Sequence, residues 1–231
     1  MPDSERAGSS MELFKYGLLS VLVVVVSACS TTTVDEYRPE DKLVTLNSDE
    51  NFVVLGRQDA GHYITGADFA SCVGKKMAGN DIVIVEQSMF VDMMYPWFEP
   101  RVAPKSLGRL RKLLKEPLLA QQIRELKIRY MIWLDGQTET VDRSGSMSCS
   151  IGPGGAGCFG FTTWDKSSAY EAVVWDLETL KEVGRVRVDS EGTSYLVGVL
   201  VPVPILSPVQ SEACAGLGKQ LRDFFESEKP S

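Results

Sequence analysis

The sequence predicts an α/β protein in which helices pack against one mixed β-sheet. In the first half of the chain, short apolar runs alternate with amphipathic segments, which indicates the order β-α-β-α-β. In the second half, apolar and polar residues alternate with a period of two, as is typical of antiparallel strands. We therefore expect β-α-β-α-β, then an antiparallel meander, then a C-terminal helix.

Three apolar runs define the strands of the first half. Residues 52–55 predict the first strand, and residues 81–86 form a continuous run of the kind that is buried on both faces of a sheet. A leucine-rich helix with a proline at position 117 leads into the third strand, residues 128–134, which is rich in β-forming residues.

The second half is interrupted by small and polar residues that are typical of turns. It predicts several short strands, at residues 138–148, 160–165, 169–176, 182–189 and 194–206. Pro202 and Pro204 lack a backbone N–H, so the last of these strands is expected to end there or to lie at a sheet edge.

The N-terminus has the features of a secretory signal. Tyr16–Ala28 contains no charged residue, follows Lys15 and ends in small residues. This run is too short to cross a bilayer comfortably, because a spanning helix needs about 20 apolar residues. Residues 1–10 are polar, so Met11 is a candidate start site.

Val26-Ser27-Ala28-Cys29 resembles the lipobox of bacterial lipoproteins. The resemblance implies cleavage before Cys29 and acylation of that residue, with palmitate among the attached chains, and Ser30 implies sorting to the outer membrane, facing the periplasm. The alternative is an uncleaved signal anchor with an incidental cysteine. The predicted organisation is a signal peptide at 1–28, a lipidated flexible tether at 29–50 and one periplasmic α/β domain at 51–228.

Composition narrows the choice of partners. The formal net charge is −7, so electrostatic attraction to nucleic acid is not expected. We expect the lipid anchor to hold the protein at a membrane and another envelope protein to be its partner. No cofactor is predicted, and the sequence leaves the oligomeric state open.

Four cysteines remain in the exported chain, and an oxidising compartment favours disulfides. Cys149 and Cys158 flank a stretch rich in glycine, which predicts a hairpin closed by a disulfide. Cys72 and Cys214 then pair by elimination, and both lie on apolar faces of predicted helices. The alternative for this second pair is two buried free thiols.

The segments Arg129–Asp135 and Ala172–Val183 carry a resemblance to known envelope proteins. A strand, an "Asp plus turn" element and a second strand resemble the periplasmic α/β domain of curli-secretion lipoproteins and the amino-terminal domain of the Tol-system β-propeller protein. The resemblance implies a domain that scaffolds or recruits envelope machinery, without catalysis.

Few residues in the sequence suggest chemistry. His62 is the only histidine, so a hydrolase or redox enzyme would have to combine it with a nucleophile such as Cys72. One histidine does not supply a recognisable metal-binding spacing. We keep this enzyme as a rival hypothesis and predict no catalytic and no metal-binding residue.

Large apolar side chains are concentrated in one proline-flanked segment, which we predict to be a loop or a broken strand. They either form a lid on the core or bind a partner. The candidate partner-binding residues are Met89, Phe90, Met93, Met94, Tyr95, Trp97 and Phe98. A third hypothesis is a structural subunit of an envelope or secretion complex that self-assembles through a sheet edge near residues 194–206.

The lipobox yields the first prediction. Replacing Cys29 with Ser should abolish acylation and release or mis-sort the protein, because the serine hydroxyl does not replace the acceptor thiol. Incorporation of a labelled fatty acid measures the modification, and labelling that persists in the Cys29→Ser protein contradicts the prediction.

Overall fold

A computed structural model describes residues 30–39, 49–57, 64–79, 81–99, 102–153 and 155–226. It has the predicted α/β class, with a mixed sheet and a C-terminal helix. The elements are β1 (Ser30–Tyr37), β2 (Asn51–Gly56), α1 (Ala67–Met77), β3 (Val83–Val85), α2 (Gln87–Met93), α3 (Leu107–Leu113), α4 (Pro117–Glu125), β4 (Ile128–Gly152), β5 (Gly155–Asp176), β6 (Lys181–Ile205) and α5 (Val209–Glu226).

The sheet has the strand order β1-β6-β5-β4-β2-β3. β2 pairs in parallel with both β3 and β4, because helices connect these strands and return the chain to the same edge. Short turns connect β4 to β5 and β5 to β6, so these strands pair antiparallel. β1 lies at one edge of the sheet and pairs antiparallel with β6. The two sequence patterns therefore correspond to the two kinds of pairing.

Side chains of β2 and β4 alternate between two apolar cores. Phe52 and Val54 lie in the first core with α1 and α5, whereas Val53 and Leu55 lie in the second core with α2, α3 and α4. All four are at most 3% exposed. Burial on both faces explains why the strand sequence is continuously apolar.

A disulfide links the two helices of the first core. Cys72 on α1 and Cys214 on α5 are bridged, with their Cα atoms 6.2 Å apart. The bridge spans 142 positions of the sequence. The predicted pairing is confirmed, and it fixes the C-terminal helix beside the helix that follows β2.

The chain divides into two compact units. We call Ser30–Asp142, Asp165–Gly192 and the residues from Pro208 onward the core unit, and Arg143–Trp164 with Thr193–Ser207 the hairpin unit. Both apolar cores belong to the core unit. The hairpin unit contains the second disulfide, Cys149–Cys158, which is confirmed with its Cα atoms 4.0 Å apart.

The meander has fewer and longer strands than the sequence predicts. The residues expected to turn the chain at 166–168 and 190–192 instead remain within β5 and β6. Ser168 is buried, and its hydroxyl lies 2.7 Å from that of Thr138 on β4. Ser190 is buried in the same way, 2.9 Å from the Thr32 hydroxyl of β1. Each buried hydroxyl therefore has a hydrogen-bonding partner on the neighbouring strand, so the strand continues through these polar positions.

Two strand assignments also differ from expectation. Residues 30–37 were expected to be part of a flexible tether but form β1, where Val34 aligns with Val188. The four threonine and valine residues at its centre favour a strand despite the polar composition. Residues 83–85 form the edge strand β3, and Val83 is 51% exposed, so this run is not buried on both faces.

Arg129 fixes the turn between β5 and β6. Its guanidinium lies 3.0 Å from the carboxylate of Asp176 and also forms ion pairs with Glu50 and Glu178. Asp176 additionally accepts hydrogen bonds from the backbone N–H groups of Glu178 and Thr179, at 2.8 and 3.2 Å. One buried carboxylate therefore caps the turn and neutralises a half-buried cation.

None of the helices in the described ranges combines the length and apolar composition needed to cross a bilayer.

The Asp176 pairing yields the second prediction. Asp176→Ala should lower the free energy of unfolding by about 3 kcal/mol, because it leaves Arg129 without its buried partner and removes the cap of the turn. Glu178→Ala is the matched control, since Glu178 pairs with the same arginine but its side chain is 71% exposed. Urea unfolding should show a change within about 0.5 kcal/mol for the control. Equal effects of both substitutions would contradict the prediction.

Candidate functional site

The aromatic and methionine-rich segment begins with a short helix, and our prediction of a loop or broken strand is wrong for its first half. α2 occupies Gln87–Met93 and ends three residues before Pro96. Prolines forbid a long helix here but allow two turns before them. The Gln87 side-chain oxygen accepts a hydrogen bond from the backbone N–H of Gly56 at 2.9 Å. This bond attaches the start of α2 to the end of β2.

One half of the segment is locked into the second core. Phe90 and Met94 have no exposed surface, and Phe98 is 3% exposed. The rings of Phe90 and Phe98 meet edge to face, with their centroids 4.8 Å apart. Spacing by four residues places these side chains on one side of the helix and of the turn that follows. They are core residues and cannot contact a partner in the folded protein.

The other half of the segment faces outward. Met89, Met93 and Tyr95 are 46%, 42% and 65% exposed, and we call these three side chains the α2 surface. Trp97 is half-buried and packs against the second core. Burial therefore assigns part of the segment to the core and leaves the interface hypothesis to the exposed residues. The seven candidate residues divide into a buried anchor and an exposed apolar surface.

Acidic residues accompany the α2 surface. Glu86, Asp92 and Glu99 lie in or beside α2, and the sequence has no Lys, Arg or His between Met77 and Arg101. This stretch of the sequence therefore carries only negative formal charge beside its exposed apolar side chains.

The remaining candidate residues give no arrangement for catalysis in the described chain. Cys29 and His62 lie outside the described residues. Cys72 is joined to Cys214, so it carries no thiol that could act as a nucleophile while this bridge is intact. Across the described ranges, no three His, Cys, Asp or Glu residues are grouped so as to hold a metal ion.

The core unit has a charged cleft of about 550 Å³ beside Arg129. Its lining includes Lys127 and Arg129, together with the acidic residues Asp49, Glu50 and Glu178. These charges pair with one another, as the Lys127 ammonium and the Asp49 carboxylate do at 3.4 Å. Burial raises the pKa of neighbouring Tyr130 to about 12, so its hydroxyl stays protonated at neutral pH. The cleft therefore contains charges of both signs that form ion pairs within it.

Comparison with known proteins gives limited guidance. No family model matches the chain, and no curated protein is similar to it. Among solved structures, a dodecamer of PelC from Paraburkholderia phytofirmans is 13% identical with a TM-score of 0.36, covering 83% of this chain and 98% of that one. A variant of the same dodecamer is 14% identical, also with a TM-score of 0.36, and covers 83% and 96% respectively.

The division of the segment yields the third prediction. Phe98→Ala should destabilise the protein by about 3 kcal/mol, because it empties a site in the second core. Met93→Gln should change stability by no more than about 0.5 kcal/mol, since the Met93 side chain is exposed and glutamine is also a good helix former. Thermal unfolding of both variants measures the difference. A comparable loss in the two variants would show that Met93 also supports the core.

Proposed function

We propose that this chain is a lipid-anchored, non-enzymatic component of the bacterial cell envelope that binds another protein through the α2 surface. The observation that carries the proposal is the division of one segment into a buried anchor and an exposed apolar surface. Methionine and tyrosine are enriched where proteins meet, and they are not needed at these positions for packing. The lipobox at Cys29 supports attachment to the membrane.

The buried anchor makes the α2 surface suitable for binding. Phe90, Met94 and Phe98 hold the backbone of the segment, and Gln87 ties its start to β2. A partner therefore meets side chains on a fixed backbone and does not have to order a loop. Preorganisation of this kind lowers the entropic cost of association. Methionine side chains also adapt to the shape of a partner.

The rival enzyme is less well supported by the arrangement of the cysteines. A thiol nucleophile must be free and partly ionised, whereas Cys72 is bridged to Cys214 within the first core. Titration of thiols in the exported protein tests this point directly. A free Cys72 thiol after export would favour the redox or hydrolase hypothesis.

The binding surface is tested in intact cells, which gives the fourth prediction. A photoreactive amino acid in place of Met89 should capture one discrete envelope protein, because this position is exposed on the α2 surface. The matched control carries the same group in place of Leu118 on α4, which is 56% exposed but lies outside this surface. The control should give no such product.

A second substitution shows whether capture depends on the surface. Met93→Gln should reduce capture from position 89 by about tenfold, since it removes one apolar contact and adds a polar group. The variant must first be shown to melt as the unsubstituted protein does. Equal capture from positions 89 and 118, or capture that Met93→Gln leaves unchanged, would overturn the proposal.

A further inference from the structure

The hairpin unit differs from the core unit in charge. Residues 144–164 and 193–207 contain no Asp, Glu, Lys, Arg or His, whereas Asp142, Arg143, Asp165 and Glu191 flank these stretches. Charged residues make up 24% of the whole chain. A soluble surface normally intersperses charges of both signs. Two stretches that are distant in sequence thus share the same unusual composition and fold into one unit.

The hairpin unit also exposes large apolar side chains. Phe159 and Phe161 are 58% and 50% exposed, and Val201 and Val203 are 70% and 56% exposed. Ile151, next to the turn between β4 and β5, is 89% exposed. Hydrophobic residues scattered singly need no explanation, but an apolar patch of neighbouring strands indicates a binding surface.

These side chains share one face of the hairpin unit. The Cys149–Cys158 bridge places both cysteines on the opposite face, so alternation along β5 directs Phe159 and Phe161 away from it. The Tyr195 ring lies 5.9 Å from that of Phe161, on the same side. Alternation along β6 then adds its odd-numbered residues. The aromatic face consists of Phe159, Phe161, Tyr195, Val197, Val201 and Val203.

The proposed anchor and the hairpin unit are both adjacent in sequence to one pair of aligned residues. Ser30 in β1 aligns with Gly192 in β6. Cys29 is the residue before Ser30, and Thr193, the first residue of this part of the hairpin unit, is the residue after Gly192. If Cys29 carries acyl chains, as the proposed function holds, this adjacency favours a membrane contact by the hairpin unit.

We propose that the aromatic face of the hairpin unit rests on the lipid bilayer, in the boundary between headgroups and acyl chains. The inference rests on the proposed lipid anchor, which supports the place of the membrane contact. The uncharged composition of the hairpin stretches supports the contact independently of the anchor. A lipid surface is the occupant that favours loss of charge from residues 144–164 and 193–207, because each ionised side chain near hydrocarbon is costly.

The free edges of the strands decide how deep this contact reaches. Among the described residues, β1 pairs with the side of β6 that faces away from β5 only up to Gly192, and β2 pairs with the side of β4 that faces away from β5 only up to Leu134. Their backbone N–H and C=O groups need partners, which headgroups and water supply at the boundary but hydrocarbon does not. Tyrosine is well suited to the same depth, because its ring is apolar and its hydroxyl is polar.

The experiment uses the lipidated protein, reconstituted into vesicles of phosphatidylethanolamine and phosphatidylglycerol that contain a lipid with a photoreactive acyl chain. Mass spectrometry of the N-terminal peptide first establishes whether Cys29 is acylated, which tests the anchor separately. Lipid labelling should then appear on peptides from the hairpin unit and not on peptides from α4. Labelling should be insensitive to salt, because the face has no charge that ions could screen.

The matched variants are Phe159→Ser with Phe161→Ser, and Leu118→Ser as control. The double variant should reduce labelling of the hairpin unit by about tenfold, since it removes the two exposed aromatic rings, whereas the control should leave labelling unchanged. Thermal unfolding at the same temperature as the unsubstituted protein establishes that the double variant is folded. Labelling confined to the N-terminal peptide would overturn the inference. Protein–protein crosslinks between copies in place of lipid labels would assign the aromatic face to self-assembly and overturn it as well.

Discussion

The fold depends on the burial of β2 and β4 on both of their faces. Phe52 and Val53 are adjacent in sequence, have no exposed surface and lie in different cores. A strand of this kind cannot be stable with helices on one side alone, because half of its apolar surface would face water. Both helical layers follow from this constraint. α1 and α5 cover one face, and α2 to α4 cover the other.

The second layer also creates the α2 surface. The chain leaves β3 after Val85 and must cover the second core before it returns to β4 at Ile128. It does so with short helices and proline-flanked turns, whose inward residues fill the core and whose outward residues remain free to vary. Stability requires only the buried anchor. The apolar character of Met89, Met93 and Tyr95 therefore calls for an explanation other than packing, and binding is the explanation that we propose.

The sequence predicts those features that depend on local patterns and on covalent chemistry. The apolar runs of β2 and β4, the restart of a helix at Pro117 and both cysteine pairs are examples. The strand predictions that were wrong share a physical cause. They concern residues whose secondary structure depends on a strand that is distant in sequence. Ser168 and Ser190 resemble turn residues until Thr138 and Thr32 are brought opposite them. The signal that could have revealed the hairpin unit was the absence of charge in two separate stretches, which becomes meaningful only when the fold joins them.

The two proposed surfaces differ in charge, and therefore in the kind of attraction that they offer. The α2 surface lies beside the carboxylates of Glu86, Asp92 and Glu99, so its proposed binding to a basic partner would be screened by salt. The aromatic face has no ionised group, so its attraction to lipid depends on apolar area and acts only at contact. Under the two proposals, added salt would weaken partner binding at the α2 surface and leave the membrane contact unchanged. The absence of charged residues from 144–164 and 193–207 is what would make the two contacts respond differently to salt.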